Sequence, residues 1–255
     1  MQTRIPEKIY LYPKQQISLE NITFTYPTLK EATINKINMS IPVNSVIGIV
    51  GPSGSGKSTL IDIFLGLITP QHGHLKIDDI IINDRNLRQW QNTIGFVAQS
   101  IYLLDGTIAE NVAFGIPNDQ IDIEQVNRSL NLAQLSDFVK GLAQGIFTNV
   151  GERGVQLSGG QCQRIGIARA LYHKAEVLVF DEATSSLDGV TEKMIMESIN
   201  NFSGKKTIIM IAHRIKTVQG CDQIFFMDKG QVVDKGTYLQ LIKSNKYFKK
   251  MAAHA

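Results

Sequence analysis

The sequence is poor in cysteine, with two in 255 residues, and it has a single tryptophan. Cys162 and Cys221 are too few for a disulfide framework and lack metal-ligand spacing, so a reducing compartment and two structural thiols are expected. No run approaches the roughly 18 consecutive apolar residues of a membrane-crossing helix, and the start, M-Q-T-R-I-P, lacks the apolar stretch of a signal peptide. The chain is therefore expected to be soluble in itself, which leaves it able to dock on a membrane protein. Charge of one sign is also scarce: 26 basic against 23 acidic side chains give a formal +3, too weak for a nucleic-acid surface. Internal repeats and low-complexity linkers are absent. With 43% hydrophobic residues, the length suffices for one large domain or two small ones with a full core.

Residues 17–26 alternate apolar and polar side chains and residues 34–41 do so less strictly, predicting strands with one buried face. Residues 46–50 are a continuous apolar run stopped by Gly51, as expected for a buried strand that feeds a loop. Residues 59–67 carry apolar side chains at helical spacing, and 75–82 and 94–97 are further strand candidates. From about residue 100 to 143 the texture is helical, with Ile108, Val112, Val126, Leu130, Leu132 and Leu135. Residues 176–180 and 207–211 return to short β-rich runs, and 224–227 and 231–234, parted by Asp228, Lys229 and Gly230, read as a hairpin. Strands alternating with helices predict an α/β fold with a mostly parallel sheet and a helical insertion.

The residues Gly51, Pro52, Ser53, Gly54, Ser55, Gly56, Lys57, Ser58 and Thr59 spell G-P-S-G-S-G-K-S-T, and Leu157, Ser158, Gly159, Gly160 and Gln161 spell L-S-G-G-Q. Chance matches to these patterns have odds on the order of one in a hundred and one in a thousand respectively, so their joint occurrence is not accidental. A strand, a glycine-rich turn and a helix beginning near Lys57 form the context of a phosphate loop. Gly51, Gly54 and Gly56 let backbone N–H groups turn inward, Lys57 reaches β/γ-phosphates, and Ser58 can ligate Mg²⁺. The apolar run 177–180 ends in Asp181, placed to hold the metal directly or through water, and Glu182, which can accept a proton from the attacking water or orient it.

In these motifs and their order, residues 17 to about 247 resemble the nucleotide-binding domain of an ATP-binding cassette transporter. The resemblance implies a P-loop NTPase core with a mostly parallel sheet, an N-terminal antiparallel β subdomain and a helical subdomain inserted at about 100–167, with residues 1–16 linker-like and 17–255 the domain itself. It implies ATP and Mg²⁺ as ligands. Leu157 to Gln161 would be the signature, touching ATP held by the phosphate loop of a second copy. Gln99 would be the glutamine that senses Mg²⁺ and water, and His213 the switch histidine beside the γ-phosphate. Ser186 and Asp188 would lie in the loop linking the two active sites, and Tyr26 would stack on adenine.

The segment 148–154, T-N-V-G-E-R-G, resembles the exporter sequence T-E-V-G-E-R-G, with Asn149 in place of the usual Glu; Glu152 and Arg153 would touch the membrane domain. Residues 105–115, D-G-T-I-A-E-N-V-A-F-G, are also exporter-like. The implied protein is an ATPase that pairs head-to-tail with itself or a related domain, joins the transmembrane domains of an exporter on the cytoplasmic side of a membrane, and binds no nucleic acid. It would be an excised domain or a separate subunit, since exporters usually carry their transmembrane helices on the same polypeptide. Two rival readings are a soluble cassette ATPase of DNA or ribosome metabolism and a non-hydrolysing ATP-binding module. The absence of coiled-coil insertions opposes the first, and intact Glu182 and His213 oppose the second.

Overall fold

A computed structural model of the chain describes residues 9–173, 175–183, 187–212 and 214–253. In chain order these form β1 (Gln16–Phe24), β2 (Ile34–Pro42), β3 (Val46–Val50), α1 (Lys57–Phe64), β4 (His72–Ile77), β5 (Ile80–Ile81), α2 (Leu87–Thr93) and β6 (Ile94–Val97). There follow α3 (Ile108–Val112), α4 (Ile123–Leu132), α5 (Ser136–Lys140), α6 (Gly159–Tyr172), β7 (Val177–Asp181) and α7 (Gly189–Asn200). The chain ends in β8 (Thr207–Ala212), β9 (Gln223–Asp228), β10 (Gln231–Gly236), α8 (Tyr238–Ser244) and α9 (Lys246–Ala253). Two compact units result: the residues up to Ile94 together with those from Lys206 onward, and Gly95–Lys205.

The first unit holds an antiparallel sheet in the order β2-β1-β4-β5. Alternation along β2 turns Ile34, Ile37, Met39 and Ile41 inward, where they meet Ile17, Leu19, Ile22 and Phe24 of β1. The same unit contains β10-β9-β3-β8. Here β3 runs parallel to both β8 and β9, and β9 and β10 are the expected antiparallel hairpin. Every residue of β3 and of β8 is buried, which is why both are continuous apolar runs with no polar alternate. The phosphate loop therefore leaves the middle of a sheet, from a strand fixed on both edges.

The single strand expected at 75–82 is two, because Asp78 adopts φ +53° and turns the chain between β4 and β5. The Asp78 carboxylate accepts the backbone N–H groups of Lys14, Gln15 and Gln16 at 2.8–3.0 Å. Upstream, Leu11 N–H donates to the Gln89 carbonyl at 3.1 Å and Thr93 Oγ1 to the Leu11 carbonyl at 3.2 Å, which ties residues 9–16 to α2. Helix α2 in turn buries Trp90 against α1, with the indole N–H on the Phe64 carbonyl at 2.8 Å.

The second unit contains the neighbouring strands β6 and β7 and helices α3 to α7. Its core includes Val126 and Leu130 of α4 and Ile165 and Ile167 of α6. The apolar periodicity of residues 108–135 thus belongs to short helices, as expected, and α4 packs on α6.

Candidate functional site

After β3 the backbone turns at once, and each glycine of the loop has a different reason. A Cβ at Gly51 would stand 2.2 Å from the Met227 carbonyl oxygen, so close approach of β9 forbids a side chain there. Gly54 and Gly56 take φ +76° and +96°, the left-handed side open to glycine. Gly56 is the N-cap of α1 and its missing Cβ faces the Thr33 carbonyl and Ile34 at 2.9 Å. The hairpin turn completes the cradle: Gly230 N–H donates to the Ser55 carbonyl at 3.1 Å, and the Gly230 carbonyl accepts Asn35 N–H at 2.8 Å.

Lys57 is 5% exposed, and its ammonium donates to the carbonyls of Gly51 and Pro52 at 2.8 and 3.0 Å, so it lies across the loop from the helix end. Ser55 Oγ is buried with no hydrogen-bond partner, a polar atom turned into the cradle. Ser53, Gly54 and Ser58 are exposed, Pro52 is half-buried and Thr59 is buried. The half-buried Tyr26 lies within 3.3 Å of Thr59 Oγ1 through its hydroxyl, and its ring meets Phe24 edge-on at 4.9 Å. Tyr26 and the phosphate loop thus share one neighbourhood in the first unit.

In the second unit β7 delivers Asp181 and Glu182 at its end. Glu182 has φ +50°, a conformation that costs a non-glycine residue on the order of 1–3 kcal/mol and that clusters at functional positions. Its Oε2 accepts Nε2 of Gln99 at 2.9 Å, so two residues 83 positions apart meet. His213 and Ser186 lie outside the described residues. Asp188 caps α7, accepting the N–H groups of Val190 and Thr191 at 3.1 and 3.0 Å; the Thr191 backbone bond is foremost in holding its carboxyl below the usual range.

Helix α6 begins with a capping box: Ser158 Oγ accepts Gln161 N–H at 3.3 Å and Gln161 Oε1 accepts Ser158 N–H at 2.8 Å. Those two side chains therefore serve the helix, while the amides of Gly159 and Gly160, in the first turn, have no intrahelical acceptor. Gly159 is exposed, Leu157 and Gly160 are half-buried, and a Cβ built on Gly159 would touch nothing within 4 Å. Just upstream Glu152 and Arg153 are exposed on a single 3-10 turn, with Arg153 at φ +55°. The two exporter-like segments are clasped together, since Ile108 N–H donates to the Thr148 carbonyl and Val150 N–H to the Gly106 carbonyl at 3.0 and 2.9 Å. Asn149 uses its side chain locally, accepting Gly151 N–H at 2.7 Å.

Burial raises the Cys162 pKa, and burial with the nearby Asp222 charge takes Cys221 to about 12. Sequence reasoning missed two contributors: Gly230, whose only signal was the hairpin turn itself, and Gln163, which is 4% exposed and donates to the Ala98 carbonyl beside Gln99. Among the described residues no cluster of three or more His, Cys, Asp or Glu side chains could hold a metal alone. Ser58 in the first unit, and Gln99 and Asp181 in the second, carry oxygen donors of the kind a hard cation such as Mg²⁺ takes.

Over 227 residues the chain is 38% identical to an ATP-dependent lipid A-core flippase of Cupriavidus metallidurans, an alignment covering 89% of this chain and 38% of that protein. It is 42% identical over 240 residues to ABC transporter B family member 22 of Arabidopsis thaliana, covering 93% and 19%. A solved structure of a bacterial Atm1-family ABC exporter with ATP bound matches 99% of this chain and 44% of its own, with TM-score 0.90 and 32% identity. The chain thus spans less than half the length of the relatives it matches. The family model for ABC transporters fits residues 34–185, from the start of β2 to just past the acids that end β7. Since that stretch takes in the phosphate loop, the capped glycine pair and Glu182 alike, the chain belongs to the ABC transporter family.

Proposed function

We propose that this chain is the ATP-hydrolysing domain of an exporter or flippase, working as a head-to-tail pair on the cytoplasmic side of a membrane beneath partner transmembrane domains. Residues 1–16, which run up to the first residue of β1, would lead in from the membrane part, and residues 17–255 would be the motor, with a helical subdomain at about 100–167. The observation that carries the reading is Gly159. Nothing in the described chain needs glycine there, yet it stands exposed beside unpartnered first-turn amides at the start of a 14-residue helix. Such an end suits the γ-phosphate of a nucleotide held by a second copy.

In this reading the phosphate loop of Gly51 to Thr59 wraps the phosphates, Lys57 leaves its two carbonyls for the β/γ oxygens, and Tyr26 packs on the base. Leu157, Ser158, Gly159, Gly160 and Gln161 approach from the partner. Ser58, Gln99 and Asp181 would hold Mg²⁺, partly through water, and the chemistry it would supply there is charge neutralisation on the phosphates. Glu182 orients the attacking water, with Gln99 setting the direction of its carboxylate and His213 contacting the γ-phosphate. Ser186 and Asp188 would lie where the two sites communicate, and Glu152 and Arg153 would meet the membrane part.

The test is ATPase rate against protein concentration. A rate rising as the square of concentration at low occupancy fits the paired motor, and zero rate at all concentrations refutes it. Glu182→Gln is expected to keep ATP bound and accumulate as a dimer; unchanged turnover would sink the role given to Glu182.

A further inference from the structure

One face of α6 carries the whole segment that leads into and past Gln99. Gln163 donates Nε2 to the Ala98 carbonyl at 3.2 Å, immediately before Gln99. One turn on, Gly166 has no side chain because Ile101 rests on the helix there; a Cβ would come within 2.4 Å of Ile101 Cδ1. A turn further, the Ala170 carbonyl stands 2.8 Å from where a Cβ on Gly95 of β6 would be. Positions 163, 166 and 170 have the i, i+3, i+7 spacing of a single helical stripe. Arg169, flanking that stripe, adds a bond from Nη1 to the Tyr102 carbonyl at 3.0 Å and from Nε to the Asn111 carbonyl at 2.8 Å.

The Gln99 side chain then reaches Glu182 at 2.9 Å. A continuous set of contacts therefore runs from the capped start of α6, through Gln163 to the backbone beside Gln99, and on to the carboxylate. The geometry points to Gln163 as the positioning residue for Gln99: it locks the backbone at Ala98 to α6, so that the helix whose first turn meets nucleotide and the amide that aims Glu182 move as one body. Its role is indirect, since its buried side chain bonds the backbone beside Gln99. A buried amide with a defined acceptor is suited to this, because breaking that one bond frees the Gln99 backbone while the apolar face of α6 stays packed.

This assignment rests on the ATPase reading, and two readouts keep them apart. In the full chain, Gln163→Met nearly preserves volume and removes the side-chain amide that donates to Ala98. It is expected to lower kcat roughly tenfold, about 1.4 kcal/mol in the barrier, with the KM for ATP within about twofold, because the phosphate loop is untouched. In a Gln99→Ala background the same substitution is expected to add nothing, since Gln163 acts through Gln99. Backbone order parameters from ¹⁵N relaxation supply the readout that needs no turnover: those of residues 98–102 should fall in Gln163→Met while those of 163–170 keep theirs.

Wild-type kcat in Gln163→Met, an additive fall in the double variant, or unchanged order parameters at 98–102 would each overturn the assignment. Should Gln163→Met fail to fold, Ile101→Ala loosens the next contact of the stripe and should give the same pattern at smaller amplitude; wild-type kcat and order parameters there overturn it equally. A wild-type chain without ATPase activity defeats the proposed function, and the relaxation experiment still decides whether Gln163 holds the Gln99 backbone.

Discussion

Replacing Gly56 by alanine should damage the phosphate loop more than the same change two residues earlier, and the structure supplies the magnitude. Gly56 sits at φ +96°, well outside the narrow left-handed well open to other residues, so backbone strain costs about 1–2 kcal/mol. The new Cβ would also lie 2.9 Å from the Thr33 carbonyl oxygen, which is backbone and held by the neighbouring Gly230 turn, and 2.9 Å from Ile34 Cδ1. Overpacking against such neighbours adds about 1–3 kcal/mol, for a total of about 2–5 kcal/mol. Gly54 at φ +76° has nothing within 4 Å of its Cβ position, so Gly54→Ala should cost only the strain of about 1–2 kcal/mol. Trp90, the only tryptophan, is buried against Phe64 of the helix that follows the loop, so urea unfolding followed by its fluorescence reports the unit in question. If Gly56→Ala shifts the midpoint no more than Gly54→Ala, the close packing of Thr33 and Ile34 on the loop is wrong.

Gly159→Ala tests the opposite kind of glycine: with open space around its Cβ position it should leave stability within about 0.5 kcal/mol, while the proposed head-to-tail pairing requires ATP turnover to fall at least about tenfold. Retained turnover would show that no second molecule comes close to α6. Asp78 supplies a pH prediction. Desolvation would raise its carboxyl, but the backbone N–H groups of Gln16, Lys14 and Gln15 outweigh it and hold the pKa below the usual value. A depressed folded-state pKa stabilises above the unfolded value of about 3.9 and loses that contribution as pH falls through the folded value. The Tm gap between wild type and Asp78→Asn should therefore be constant at neutral pH and narrow below about pH 4; a gap that widens on acidification contradicts the three-amide bond set.

What could be read along the chain was whatever depends on neighbours in sequence. The strands β3 and β8 were legible because a strand buried on both faces must be apolar throughout. The β9–β10 hairpin was legible because Gly230 at φ +74° closes its turn. Helix α2 was not, since L-R-Q-W-Q-N-T buries only Trp90 and Thr93 and shows no apolar stripe. The break between β4 and β5 was hidden because Asp78 looks like any polar residue until three amides from residues 14–16 converge on it. Gln163 gave no signal either, a polar position among polar neighbours whose burial depends on a loop 65 residues upstream.

By itself the sequence determined the local motifs: nine consecutive residues that fit the phosphate-loop pattern, two acids at the end of an apolar run, and a glycine pair opening a helix. Each is a local pattern, set by backbone freedom and charge within a few residues. Only the tertiary structure decided how those groups are held. It placed the Gly230 turn and Thr33 against the loop, brought Gln99 to Glu182 across 83 positions, clasped residues 106–108 to 148–150, and engaged Ser158 and Gln161 in a cap so that the end of α6 presents backbone. The physical reason is that hydrogen-bond and packing partners distant in sequence are chosen by the fold, because the great majority of buried donors and carbonyls are matched by whatever groups the chain brings beside them.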